Sequence, residues 1–160
     1  MSPELNTKIV FPLKKDESGY PPAEYEYLSA QVQGDLYVID NIPFFVRGVS
    51  LADVVRAEAT TERELWFKEV VHPSAHTTLR VIVFRQSPDP RSIEERVADV
   101  RSYLSNLGCD SELSHIPGLV AVDVPPQATL DAILDYLRTG ETQKLWEYEE
   151  AALRQATLSS

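Results

Sequence analysis

The sequence predicts an α+β chain built from two small units, and three observations carry that prediction. Residues 8–71 hold five short strand-like segments separated by Pro, Gly and Asp corners. From residue 79 onward, continuous apolar runs alternate with two stretches of helical periodicity. The length of 160 residues suits one ordinary domain or two small ones. The expected layout is a first unit at 8–76, a second at 77–152, and flexible tails at 1–7 and 153–160.

In the first unit, Lys8-Ile-Val-Phe-Pro-Leu13 reads as a strand, with Pro12 confining it to an edge or a strand end. Lys14 to Pro22 has loop composition. Glu24-Tyr-Glu-Tyr-Leu-Ser-Ala-Gln-Val32 alternates Glu24 and Glu26 against Tyr25 and Tyr27, the period of a strand with one wet face. Gln33-Gly34-Asp35 turns it back into Leu36-Tyr-Val-Ile39, which predicts a hairpin over 24–39. The segment Asp40 to Ser50 turns at Pro43 and Gly48. Ser50 followed by Asp53 resembles an acidic capping box and predicts a single helical turn before a strand at Val54 to Glu58. Leu65 to Val71 pairs with that strand around the polar turn Ala59 to Arg63. Five strands with Pro and Gly corners fit a small β-barrel-like sheet of SH3-like pattern.

In the second unit, Leu79-Arg-Val-Ile-Val-Phe84 is a β-branched strand broken by Ser87 to Pro90. Ser92 with Glu95 is a capping box. Ile93, Val97, Val100, Leu104 and Leu107 then lay one apolar stripe along a helix ending at Gly108. Leu119-Val-Ala-Val-Asp-Val124 is a second apolar strand, stopped by Pro125-Pro126. Thr129 caps a second helix with Leu130, Ile133, Leu134 and Leu137 facing inward, closed by Gly140. Lys144 to Ala151 alternates Trp146 and Tyr148 against Glu147 and Glu149, as a strand does, while its Glu and Ala content leaves a helix through Arg154 open. The order β-α-β-β-α-β predicts a ferredoxin-like unit. Its central strands would be 79–84 and 119–124, both continuously apolar, and its edges the polar 109–115 and 145–150.

Composition bounds function more than it names it. Hydrophobic residues at 43% and charged residues at 25% are an ordinary globular balance. No apolar run reaches the length of a membrane span and Met1 to Lys8 lacks a secretory apolar core, so a cytoplasmic location is expected. Cys109 is the single cysteine, which excludes an internal disulfide. The net charge of -10 is shared evenly, with 7 Lys/Arg against 12 Asp/Glu in residues 1–76 and 8 against 13 in the remainder. Such a surface repels nucleic acid and anionic lipid and draws a basic partner.

Tyr20-Pro-Pro-Ala-Glu24, Asp40-Asn-Ile-Pro-Phe-Phe-Val-Arg-Gly-Val-Ser50, His76-Thr-Thr-Leu-Arg80, Val120-Ala-Val-Asp-Val-Pro125 and Trp146-Glu-Tyr-Glu-Glu-Ala151 together resemble the bacterial family known as domain of unknown function 4265. The resemblance spans roughly Lys8 to Ala151, and Asn41 to Ser50 is its most specific part. It implies a small bacterial protein and brings no assigned catalytic residues. Compact acidic proteins of this sort resemble the immunity partners of bacterial toxins in type.

No nucleotide or hydrolase motif occurs, so no catalytic residue and no cofactor is expected. His72 and His76 stand four apart, but Pro73 and the strand before them spoil a helical metal pair, and His115 is the only histidine left for a third ligand. Cys109 follows a helix C-terminus, which disfavours a thiolate and predicts a buried small hydrophobe. Arg47, His72 and His76 mark a possible cleft between the units, the basis of an alternative reading as a small enzyme or ligand-binding domain. A cytoplasmic regulator of unknown target is a further alternative. The leading expectation is a non-enzymatic immunity- or antitoxin-like inhibitor that covers the basic active-site cleft of a toxin. Its contacts would be Glu24, Tyr25, Glu26, Tyr27, Trp146, Glu147, Tyr148, Glu149 and Glu150, with the carboxylates steering and the aromatics either anchoring or filling cores. An edge strand at 145–150 offers a homodimer seam.

Overall fold

The computed structural model describes residues 6–60 and 62–155. It is a mixed α+β structure with two sheets and two helices, and the chain divides into two compact units, Met1–Ser74 and Ala75–Ser160.

The first unit is a sheet of five strands: β1 (Asn6–Pro12), β2 (Tyr25–Gln33), β3 (Leu36–Ile39), β4 (Val54–Ala59) and β5 (Leu65–His72). Consecutive strands pair antiparallel. β5 then meets β1 in parallel through Ile9↔Leu65 and Val10↔Trp66, so every strand of this sheet has two neighbours. Register shifts on β4, between Val54 and Val55 and between Arg56 and Ala57, mark where the ladder bends. Ile9, Phe11, Leu28, Ala30, Ile39, Val49 and Val55 form the core, and Phe67 stacks on Phe11 at a centroid distance of 4.6 Å.

Several expectations are corrected here. β1 begins at Asn6, so residues 6 and 7 are strand and not tail, while residues 1–5 lie outside the described part. The expected helical turn at Ser50 is a tight turn instead. Asp53 N–H donates to Ser50 O at 3.1 Å, Ser50 N–H donates to Asp53 Oδ2 at 2.9 Å, and Ala52 takes a φ of 70°. Asp53 Oδ1 is also engaged, by the Ser74 N–H at 2.8 Å, so the side chain holds two chain segments rather than opening a helix.

The second unit runs β6 (Thr77–Val83), α1 (Ile93–Asn106), β7 (Asp110–Leu113), β8 (Leu119–Val124), α2 (Leu130–Thr142) and β9 (Trp146–Ala152). Its sheet is antiparallel in the order β7-β8-β6-β9. The continuously apolar strands are therefore central and the polar ones are edges, and residues 146–152 are strand. Leu79, Val81 and Val83 pack with Val120, Val122 and Val124 against Val97, Val100 and Leu104 of α1 and Ile133, Leu134 and Leu137 of α2. Burying one such side chain is worth roughly 1.5–3 kcal/mol, so this cluster dominates the stability of the unit.

Ser92 caps α1, its Oγ accepting from the Glu95 N–H at 3.1 Å. Gly140 does not close α2, which continues to Thr142. A Cβ at Gly140 would stand 1.9 Å from Trp146 Cζ2, so the glycine makes room for the indole. Residues 153–155, assigned above to a tail, are tied down where they are described. Arg154 N–H donates to Thr77 Oγ1 at 2.8 Å, and the Gln155 amide donates to the carbonyls of Val124 and Pro125. Among the described residues, no helix is long and apolar enough to cross a membrane.

Candidate functional site

The outward face of β2 carries the most distinctive surface. Leu28 and Ala30 point into the core, and by strand alternation so does Glu26, at 8% exposure. This reverses the expected wet face: Tyr25 and Tyr27 are outside, at 48% and 53% exposure, and Glu26 is inside. The inversion has a cause. Glu26 Oε1 and Oε2 accept the N–H groups of Phe44, Phe45 and Val46 at 3.0, 2.8 and 2.6 Å for Phe45, Val46 and Phe44 respectively. A buried carboxylate with three charge-assisted donors is satisfied where an isolated one would not be. Glu26 therefore belongs to the scaffold and leaves the group of partner contacts.

Tyr25 packs edge-on against Trp66 of β5, with centroids 5.2 Å apart and planes at 89°. Val10 of β1 pairs with both Tyr27 and Trp66, which sets those two rings on neighbouring sides of one strand. The Tyr27 hydroxyl donates to Glu64 Oε2 at 3.1 Å, and that hydrogen bond, with the carboxylate's charge, pushes the phenol up from its ordinary range. Glu24 pairs with Lys15 at 2.9 Å. Glu58, opposite Trp66 in the β4–β5 ladder, meets Arg56 at 2.9 Å and Lys68 at 3.6 Å. The result is an aromatic ridge bordered by carboxylates, able to bind through apolar contact and charge and supplying no nucleophile. Trp66 escaped the sequence reading because its outward direction depends on register, although the pattern Leu65-Trp66-Phe67 held the signal.

The expected contacts on β9 separate. Trp146 is core, 6% exposed, and donates Nε1–H to Leu137 O at 2.9 Å. Glu149 accepts from Arg80, whose guanidinium is 3% exposed, with Nη2 at 2.5 Å. An exposed steering role is thus corrected for Glu149, and of the two readings open for Trp146, anchor or core, the structure places it in the core. Glu147 and Glu150 are exposed. Tyr148 is half-buried, its hydroxyl donating to Glu150 Oε2 at 3.2 Å and accepting from Arg138 Nε at 3.3 Å.

Arg47 lies exposed in the loop after β3, and His72 is the exposed last residue of β5. His76, in the second unit, places Nδ1 at 2.9 and 3.1 Å from the two oxygens of Asp123. Burial pushes the Asp123 carboxyl above its ordinary range, and the His76 hydrogen bond and charge partly offset that. The sequence held one signal for this pair: a lone aspartate inside the apolar run Leu119 to Val124. Cys109 is buried, and burial raises its thiol to about 12, so it is inert at neutral pH.

Residues 26–148 match the model of the family described as Domain of unknown function (DUF4265). The chain belongs to that family. Its matched span begins at the Glu26 that braces the loop of the first unit and ends at Tyr148 on the last strand, so it takes in most of both units and leaves out β1 and the end of β9. No curated protein matches the sequence. A crystal structure of a hypothetical protein from Neisseria gonorrhoeae is similar over 97% of this chain and 100% of that one, with a TM-score of 0.75 and 20% identity. That likeness concerns the fold alone.

Proposed function

We propose that the protein is a non-enzymatic binding module, an immunity- or antitoxin-like inhibitor that covers the basic active-site cleft of a bacterial toxin. The observation that carries the reading is the ridge on the first sheet formed by the exposed Tyr25 and Tyr27 with the half-buried Trp66, bordered by Glu24, Glu58 and Glu64. Tyrosine and tryptophan beside carboxylates suit a surface rich in Arg and Lys, which stack on the rings and pair with the acids. The net charge of -10 would speed the encounter. A cytoplasmic location belongs to the same reading. We infer also that the first sheet is a small SH3-like barrel, supported by the return pairing of β5 on β1, and that the second unit is ferredoxin-like, supported by the order β7-β8-β6-β9.

The test is affinity capture from a lysate of the source bacterium at low and high salt, comparing the wild type with Tyr25→Ser/Tyr27→Ser. These residues are exposed, so the variant should melt as the wild type does. The expected result is a basic protein held at low salt by the wild type, lost with the variant, whose toxicity on expression the wild type suppresses. A captured set that is identical for the two proteins, or a basic partner without toxicity, overturns the proposal.

A further inference from the structure

Two of the cavities in the second unit have largely apolar walls, and their arginines differ in what they have left to offer. Beside Trp146 and Tyr136, Arg91 is engaged by Asp89 and Asp99, and Arg96 donates to the carbonyls of Phe84, Arg85 and Arg91. Those cations are already satisfied. The other cavity, of about 210 Å³, runs between α1 and the β7–β8 turn and is lined by Ile93, Val97, Leu113, Ile116, Pro117 and Leu119. Leu113 is 52% exposed there. A Cβ at Gly118, whose φ is 86°, would stand 2.5 Å from Val83 O, so the turn that walls this groove is held close to the sheet by its glycine.

Arg101 lines the same groove. Its Nε–H donates to Ser111 Oγ at 2.9 Å and its Nη2 to Ser111 O at 3.1 Å, which fixes the guanidinium plane through one side of the fork. Among the described residues it makes no ion pair; Ser111 takes Nε–H and one N–H of Nη2, and no acceptor meets Nη1, which leaves the Nη1 side of the fork open. A half-buried guanidinium held in place beside an apolar groove, with that side open, has the geometry for a planar anion with two oxygens. Glu94 lines the groove seven residues earlier on α1, about 10 Å along the axis. It repels an anion at its own end and so sets the direction in which a ligand lies.

We propose that this groove binds a small carboxylate with an apolar body, the carboxylate on the open end of Arg101 and the body against Val97, Leu113 and Ile116. A cavity of this size is below the usual range for drug-sized ligands and suits one branched aliphatic group. The carboxylate can come from a free carboxylic acid or from the C-terminal residue of a polypeptide. The inference concerns a different surface from the aromatic ridge and does not rest on the inhibitor reading.

Amide-resolved NMR titration of the full chain with 4-methylpentanoate, 4-methylpentanamide and N-acetyl-Ala-Leu free acid tests it. The acid, with about eight non-hydrogen atoms, should give saturable shifts at Val97, Ala98, Leu113 and Gly118 with a Kd on the order of 1 mM. The neutral amide should bind at least about tenfold more weakly. Arg101→Gln should bring the acid down to the level of the amide, and Ala98→Trp, on an exposed helix position, should fill the groove and abolish the shifts. A peptide acid that binds about tenfold more tightly than 4-methylpentanoate assigns the site to polypeptide C-termini, and equal or weaker binding assigns it to free acids. Equal affinity for acid and amide, or no saturation up to about 20 mM acid, overturns the proposal. The acid-against-amide comparison needs no variant, so a misfolded Arg101→Gln would not blunt it.

Discussion

Glu26 uses both carboxylate oxygens on three amides of the loop Phe44 to Val46, the same stretch in which the sequence is most distinctive. Replacing it by Gln turns one acceptor into a donor facing donors, which should cost about 2 kcal/mol of unfolding free energy. Urea denaturation measures this, and an unchanged midpoint would mean that the loop is held by other contacts. Alternation in the sequence told which residues of β2 share a face; it could not tell which face is buried, because a carboxylate's acceptors are filled by amides distant in sequence. Asp123 is the second case. Its carboxyl titrates above the ordinary 3.8, chiefly through burial, so between 3.8 and its raised value the folded protein holds more proton there than the unfolded chain. Stability should therefore fall as pH rises through that window and level off above it. Asp123→Asn removes the titrating group, so its stability relative to the wild type should climb across the same window. Denaturation midpoints in a pH series would show the two curves separating, and parallel curves would remove the argument.

Gly140 lies in the interior of α2, where alanine ordinarily gains about 1 kcal/mol over glycine. Here the sign should reverse. The new Cβ would collide with the Trp146 ring at 1.9 Å, and moving the ring breaks the bond from Nε1 to Leu137 O. Gly140→Ala should cost about 1–3 kcal/mol, the usual range for overpacking, and thermal unfolding would register it as a lower melting temperature. The sequence reading took this glycine for a helix end because a glycine after an apolar stripe is the common C-terminal signal. Only the return of β9 brings the indole there. Arg96 was missed for a like reason: it sits beside the apolar stripe of α1 and is buried by the carbonyls of the β6–α1 loop. Where local pattern decides, the sequence was legible. The Ser92 cap, the inward rows of both helices and the central or edge character of the second sheet's strands all follow from period and polarity.

At the scale of the whole molecule, charge is the property that composition states most directly, and it carries a prediction independent of any partner. Twenty-five acidic residues against fifteen basic ones leave a net charge of -10. The ion pairs of the first sheet, Arg56 with Glu58 and Glu69 and Lys68 with Glu58, are exposed, as is that of Arg91 with Asp99. Exposed pairs contribute roughly 0–1 kcal/mol each and weaken in salt. The excess of carboxylates acts in the opposite sense, since like charges held in a compact chain repel and salt relieves that repulsion over a screening length of about 10 Å at 0.1 M. The pair of Arg80 with Glu149, in which the guanidinium is buried, is partly shielded from the solvent ions and should respond less. Repulsion among the surplus acids should therefore win over the loss of a few surface pairs. The melting temperature is expected to rise by a few degrees between about 10 mM and about 150 mM sodium chloride at neutral pH. Replacing Glu24 and Glu147, both exposed and the latter making no ion pair among the described residues, by Lys should flatten that rise, because it removes four units of net charge without touching a buried contact. A melting temperature that falls with salt would show the surface pairs to be worth more than their exposure implies, and the same series would then predict that association with a basic partner depends on local pairing more than on the overall field.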